Sequence, residues 1–332
     1  MAVRALTGTH EAFGPAALAM DLPVVTAKIE TAIRDQVFHR LHRKGAVVGI
    51  SGGIDSSVVA MLCARALGPD RVLGLIMPER ASASESLELA TAIADAAGID
   101  RLTVQMTPML EAAGCYQLQA EAARMVIPEF DEGWRMKIVL PGLLGGNRLS
   151  LFSLVAASPS GEVREARLSM DAYLQLVAAT NMKQRLRKQT EYYHADRRRY
   201  AVAGTPNRLE YDQGFFVKNG DGAADFKPIA HLYKTQVYAL AEYIGVPASI
   251  CRRLPTTDTY SLPQSQEEFF FSLPHGHLDL CLYGKDHGVP AGTVADALGL
   301  TANQVEWIYA DIDAKRRTAI YLRSEPLLVE TL

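Results

Sequence analysis

Residues 45–50, Gly-Ala-Val-Val-Gly-Ile, are apolar at successive positions and run directly into Ser51-Gly52-Gly53. A strand with one wet face alternates polar and apolar residues. A strand without that alternation is buried on both faces, the condition of a parallel strand with helices above and below. A helix is predicted from about Ser56 to Leu67, ended by Gly68. The pattern then repeats: 71–78 reads as a second strand, 82–98 as a second helix closed by Gly98, and 101–106 as a third strand. Ahead of them Ile29, Ile33, Val37 and Leu41 recur every four residues and mark 24–43 as an amphipathic helix. Strands and helices in alternation predict an α/β fold with a doubly wound parallel sheet.

Order is weaker elsewhere. Residues 1–23 read as an irregular arm, 107–125 as helical, 148–169 as an inserted β-hairpin about Ser158-Pro159-Ser160-Gly161, and 170–200 as helix. No linker or repeat divides the chain, so 24–325 is expected to be one domain with an insertion at about 126–170. A chain of 332 residues, 48% hydrophobic, can bury a large core. A net charge of -3 gives no general attraction to nucleic acid or anionic membrane, and Arg197-Arg198-Arg199 reads as a solvated helix face. No apolar run reaches the 18 residues of a membrane span, and the N-terminus lacks the apolar core of a signal peptide. Cys63, Cys115, Cys251 and Cys281 are scattered without CxxC spacing, which fits free thiols in a reducing cytoplasm better than disulfides or zinc.

The chemistry lies after the first strand. Ser-Gly-Gly between a buried strand and a helix makes a nest of backbone N–H groups at the positive end of the helix dipole, where phosphate binds. Adjacent glycines let the backbone approach the ligand, and Ser51, Ser56 and Ser57 add hydroxyls. The lysine of a Walker A loop is missing, and Asp55 stands at the helix start. An acid beside a phosphate nest makes sense if it holds Mg²⁺ against the phosphates.

The stretch Ser51-Gly-Gly-Ile-Asp-Ser-Ser resembles the PP-loop of the N-type ATP pyrophosphatases. Farther on come Asn181-x-x-x-Arg185, Gly204-Thr205-x-x-x-x-Glu210, Gly214-Phe-Phe-x-Lys218-x-Gly-Asp-Gly222, Asp225-x-x-Pro228 and a helix bearing Lys234. In this order and spacing they resemble the ammonia-dependent NAD⁺ synthetase family over about 24–110 and 176–320. The resemblance implies a Rossmann-like sheet of the adenine nucleotide alpha hydrolase type. It implies that Gly49, Ile50, Ser51, Gly52, Gly53, Ile54 and Ser56, with Thr205, Lys234 and Thr256, contact ATP. Asp55 and Glu210 are the implied Mg²⁺ ligands, and Asp55 and Lys234 the implied catalytic pair. Arg185, Lys218, Asp225 and Lys315 are the implied contacts to the dinucleotide acid.

The implied reaction is attack of the acid carboxylate of nicotinic acid adenine dinucleotide (deamido-NAD⁺) on the α-phosphorus of ATP. Pyrophosphate leaves, and ammonia converts the acyl adenylate to NAD⁺ and AMP. The family also implies a cytoplasmic homodimer with the acid bound across the subunit interface. Too few residues precede Ser51 for a glutaminase domain, so free ammonia or a separate supplying partner is expected. Three departures stand out: the family's C-terminal His-Lys pair reads Ala314-Lys315, the loop 255–280 has Glu267-Glu268 where the family has Asp-Glu and Ser272 and His275 where it has Gly and Tyr, and 126–170 is unlike the short enzymes. They leave open a related amide ligase that adenylates another carboxylate. A non-catalytic nucleotide-binding protein is the remaining alternative, opposed by the intact Asp55, Glu210 and Lys234.

Overall fold

Neighbouring residues of the first strand, β1 (Ala46–Gly49), enter two different cores: Ala46 and Val48 one, Val47 the other. That division is what an unbroken apolar strand requires, and the rest of the fold is arranged around it. The computed structural model describes residues 13–140, 152–253, 259–271 and 273–330.

In chain order, α1 (Leu22–Arg34), β1, α2 (Ile54–Leu67), β2 (Val72–Ile76), α3 (Ser84–Ala97) and β3 (Asp100–Thr103) form the predicted alternation. Next come α4 (Thr107–Ala112), α5 (Cys115–Arg124), β4 (Arg135–Val139), β5 (Ser153–Ala157), β6 (Val163–Arg167), α6 (Met170–Arg198) and β7 (Ala201–Ala203). The chain continues with α7 (Arg208–Gln213), α8 (Lys234–Tyr243), α9 (Ala248–Cys251), α10 (His275–Asp286), α11 (Ala291–Leu298) and α12 (Ala302–Arg323).

The main sheet has the order β3-β2-β1-β7 and is parallel throughout, with Ala46 opposite both Val72 and Ala201. One face packs on α1, α2, α3 and α8 through Ile33, Val58, Leu62, Ile93 and Leu240. The other packs on the α4–α6 layer through Met106, Leu110, Tyr116 and Ala195. Helices on both faces make this the expected doubly wound sheet.

The predicted helix at 24–43 begins where Asp21 accepts a bond from Val24 N (3.1 Å), but its regular part stops at Arg34 and a wider-turned stretch runs from Asp35 to Arg40. The predicted hairpin at 148–169 is present as β5 and β6, yet it is part of a larger unit. β4 pairs antiparallel with β5, giving a second, three-stranded sheet. Residues 135–139 alternate charged and apolar side chains in a strand too short to stand out beside the glycines that follow. Met136 and Ile138, with Leu154 and Ala156 of β5, pack on Ala122, Ala172 and Leu176 of α5 and α6. A separate helical core of Leu278, Leu282, Val305, Ile308 and Ile312 joins α10 to α12 and receives Leu18 of the N-terminal arm. All four cysteines are free thiols.

Candidate active site

Ile50 still donates to Leu75 O (2.8 Å), so β1 holds its register until the chain turns away at Ser51. Gly52 makes the turn at φ 78°, where a Cβ would lie 2.6 Å from Ser86 O. Only glycine takes that conformation without strain. Ser51 Oγ accepts from Gly53 N (3.2 Å) and lies 3.1 Å from Ser56 Oγ. Ser56 and Ser57 both donate to Gly53 O, at 3.0 and 2.8 Å. No side chain caps α2, so its first N–H groups are left for a ligand, as an anion site needs. Gly49, Ile50, Ser51, Gly53, Ile54, Asp55 and Ser56 line a cavity of about 590 Å³, while Gly52 packs behind the loop.

At the mouth of the loop five side chains share one network. Lys234, at the start of α8, forms an ion pair with Asp55. Asn207 Nδ2 donates to Asp55 Oδ1 (2.9 Å), and Asn207 N donates to Glu210 Oε2 (3.1 Å). Glu210 N returns a bond to Asn207 Oδ1 (3.2 Å), completing a capping box at the start of α7. Gln266 Nε2 binds the other Glu210 oxygen at 3.1 Å. Burial, reinforced by the charge on Asp55, pushes the Glu210 carboxyl up to about 8 in spite of Lys234. For Lys234 burial acts against the charge, but Asp55 and Glu210 outweigh it and hold the ammonium above the ordinary lysine range. Asp279, fully buried on α10, accepts from Lys234 N (3.2 Å) and Thr235 N (2.7 Å) and fixes the helix end that carries the lysine. Burial raises its own carboxyl to about 6.

One long wall of the cavity is α6. Tyr173, Val177, Thr180, Gln184, Arg187 and Glu191 line it at helical spacing. At a rise of about 1.5 Å per residue the stretch from Tyr173 to Glu191 spans roughly 27 Å. Glu191 sits behind the phosphate loop, where a Cβ on Gly49 would meet it at 2.8 Å, and it pairs with Lys188 (2.6 Å). At the other end Tyr173 stacks on Phe152, which leads into the second sheet. Between them Lys183 and Glu79 form a buried pair at 2.8 Å, with Tyr116 Oη donating to Glu79 at 2.7 Å.

The expected contacts divide into two groups. Thr205, Glu210 and Lys234 line the cavity with the loop. Thr256 lies outside the described residues. Arg185, Lys218, Asp225 and Lys315 do not line it. Arg185 is exposed and donates to Lys218 O (3.2 Å), and Lys218 Nζ is held by Ser324 Oγ (2.8 Å) and Tyr321 O (2.9 Å) near the end of α12. Asp225, also exposed, accepts from Val202 N (2.7 Å). Lys315 is tied to Asp311 (2.7 Å) and Phe270 O (2.8 Å), while Ala314 is exposed.

Three residues of the site were not anticipated: Asn207, Gln266 and Asp279. The Asn-x-x-Glu spacing of Asn207 and Glu210 is a legible helix-start signal, and it could have paired the two in advance. Nothing local marks Gln266 or Asp279, which arrive from a distant segment.

Asp55 and Glu210 bring two hard oxygen donors to the edge of a phosphate nest. Among the described residues no cluster of three or more His, Cys, Asp or Glu is gathered for a metal. Two carboxylates completed by phosphate oxygens are the donor set that Mg²⁺ takes, so the residues fit that ion. Among the described residues no helix is long and apolar enough to cross a membrane.

The family model described as NAD synthase matches residues 25–141 and 152–318, so the match breaks only at 142–151 and most of 126–170 lies within it. The NH(3)-dependent NAD(+) synthetase of Mesorhizobium japonicum is 57% identical over 311 residues, 94% of this chain and 98% of the relative. That of Rhizobium rhizogenes is 50% identical over 321 residues, 97% of each. Among solved structures, the NH3-dependent NAD synthetase of Campylobacter jejuni superposes with a TM-score of 0.62 at 22% identity, covering 94% of this chain and 100% of the other; it bears on the fold alone. With its phosphate loop, its Asp55–Lys234 pair and these relatives, the chain belongs to the NAD synthase family.

Proposed function

We propose that the protein catalyses ATP-dependent amidation of nicotinic acid adenine dinucleotide by ammonia, giving NAD⁺, AMP and pyrophosphate through an acyl adenylate. The observation that carries this reading is the network of Asp55, Asn207, Glu210 and Lys234 at the mouth of the Ser51–Ser56 loop. A site that breaks the bond between the α- and β-phosphates needs donors for the departing pyrophosphate and a way to balance its charge. The loop N–H groups and the α2 terminus supply the donors. Mg²⁺, held by Asp55 and Glu210, would neutralise phosphate charge and polarise the reacting phosphoryl group. Lys234, already beside Asp55, offsets charge that develops on the leaving group. Ile76, Met77 and Pro78 at the end of β2 offer an apolar slot for adenine in the same cavity. No covalent nucleophile is required: the carboxylate attacks phosphorus, pyrophosphate departs, and ammonia displaces AMP from the activated acyl group. Positioning and charge balance carry the rate.

The acid is read as binding along the surface of Arg185, Lys218 and Asp225, which the 214–217 loop connects to the cavity. Being exposed in one chain, that surface supports a homodimer in which the partner closes the acid site. Ammonia is taken as such or from a separate supplying protein. The test is incubation with ATP, Mg²⁺, ammonia and a panel of acids, following AMP, pyrophosphate and amide. NAD⁺ formation from the dinucleotide acid is expected. AMP release with some other carboxylate, and none with this one, overturns the assignment.

A further inference from the structure

We propose that the end of the main sheet opposite the phosphate loop carries a second nucleotide site, formed by Arg43, Lys44, Arg71, Arg198, Phe38 and Tyr200. Topology builds it. Strands β1, β2 and β7 are parallel neighbours with Ala46 opposite Val72 and Ala201, so the residues just before each strand meet at one end of the sheet. Those residues are Arg43 and Lys44 before β1, Arg71 before β2, and Arg198 and Tyr200 before β7. Three basic stretches far apart in sequence thus converge. They line an open surface depression of about 490 Å³.

Charge and rigidity both point to an anion there. Among the described residues none of Arg43, Lys44, Arg71 and Arg198 forms an ion pair. Four like charges gathered without an ion-pair partner repel one another and raise the local potential for anions. The frame beneath them is fixed. Lys44 N donates to Arg199 O (2.8 Å), locking two basic stretches together, and Tyr200 Oη donates to Asp70 O (3.3 Å). Tyr200 is also set close against Gly45, where a Cβ would meet its ring at 2.8 Å. His42 and Arg199, at φ 51° and 56°, are two of the three non-glycine residues in the left-handed region among the described residues.

The ligand class follows from the lining. Arginines match phosphate oxygens with paired donors. Tyr200 supplies a ring for a base, and the Phe38 ring carries the Arg71 guanidinium, 5.4 Å from its centroid. Phosphates plus a flat base describe a nucleoside polyphosphate. Because these residues lie at the opposite strand ends from Ser51 and Asp55, occupancy here leaves the reaction site open.

ATP binding is measured by calorimetry on the full chain without acid or ammonia, so no turnover occurs. Two ATP sites per chain are expected for the wild type and one for the doubly substituted Arg43→Glu, Arg198→Glu protein. That variant retains NAD⁺ formation, which shows that it is folded. Tyr200→Ala is expected to weaken the second site about tenfold for ATP while leaving inorganic tripolyphosphate unchanged. One ATP site per wild-type chain overturns the proposal. So does tripolyphosphate binding as tightly as ATP with no effect of Tyr200→Ala, since that describes a bare anion patch. Stronger binding of a single-stranded oligonucleotide here, tightening with its length, also overturns it.

Discussion

The ammonium of Lys234 is paired with the carboxylate of Asp55 although 179 positions separate them in the chain. Asp55 lies in the first turn of α2 and Lys234 opens α8. The two helices share a core through Val58, Val237 and Leu240. The start of α2 therefore meets the side chain that opens α8, whose own first N–H groups are taken by Asp279. A phosphate arriving at the loop would find the uncapped α2 terminus and the same lysine.

Lys234→Met keeps the aliphatic stem but leaves Asp55 without its cation. Turnover is expected to fall by about 10² or more, the usual scale for removing one preorganised electrostatic contact. Asp55→Asn and Glu210→Gln should each remove most activity while preserving the fold. Pyrophosphate release at limiting Mg²⁺, with a thermal unfolding curve for each variant, checks this; near-normal turnover in both carboxylate variants would refute the clamp.

Gly52→Ala places a methyl group at φ 78°, 2.6 Å from Ser86 O. The left-handed backbone alone costs an alanine about 1–2 kcal/mol, and the contact adds to it. The loop must shift, so the KM for ATP should rise and kcat fall. Steady-state kinetics with varied ATP will show whether the phosphate nest depends on this turn.

Glu79 and Lys183 form a buried pair whose side chains are 0% and 4% exposed. Glu79→Gln leaves the lysine charge inside the protein and is expected to cost about 3 kcal/mol. Burial by itself raises the Glu79 carboxyl, but Lys183, helped by Tyr116, holds it below the ordinary 4.5. A depressed carboxylate contributes fully above its unfolded value, and the contribution disappears as pH falls through the folded one. The stability gap between wild type and Glu79→Gln should therefore be constant at neutral pH and close below about pH 4.5. Urea denaturation across that range measures it.

Ala314→His restores the side chain that the resembling family has before its lysine. Ala314 is exposed on α12, outside the cavity. A histidine there can reach the acid only if the acid lies along the outer surface. About tenfold tighter acid binding, with the KM for ATP unchanged, is expected from one regained polar contact. An unchanged KM for the acid would argue against that placement.

What the sequence by itself determined is the chemistry that local pattern can encode. An unbroken apolar run must be a strand buried on both faces, and Ser51-Gly52-Gly53 before a helix must turn with its N–H groups exposed. Those constraints act within a few residues, and they made β1 to β3, α2, α3 and the phosphate loop legible, with the spaced motifs adding the family. Only the tertiary structure decided what depends on which distant surfaces meet. Asp279 fixes the end of α8 from 45 positions away, and Gln266 reaches Glu210 across 56. β4 is a strand because Met136 and Ile138 find an apolar surface on α5 and α6. Arg198 is the exposed helix residue its sequence suggests, but only the pairing of β1, β2 and β7 sets it beside Arg43 and Arg71. Burial, ion pairing and coupled titration arise from contacts that packing creates, and residue spacing along one chain does not contain them.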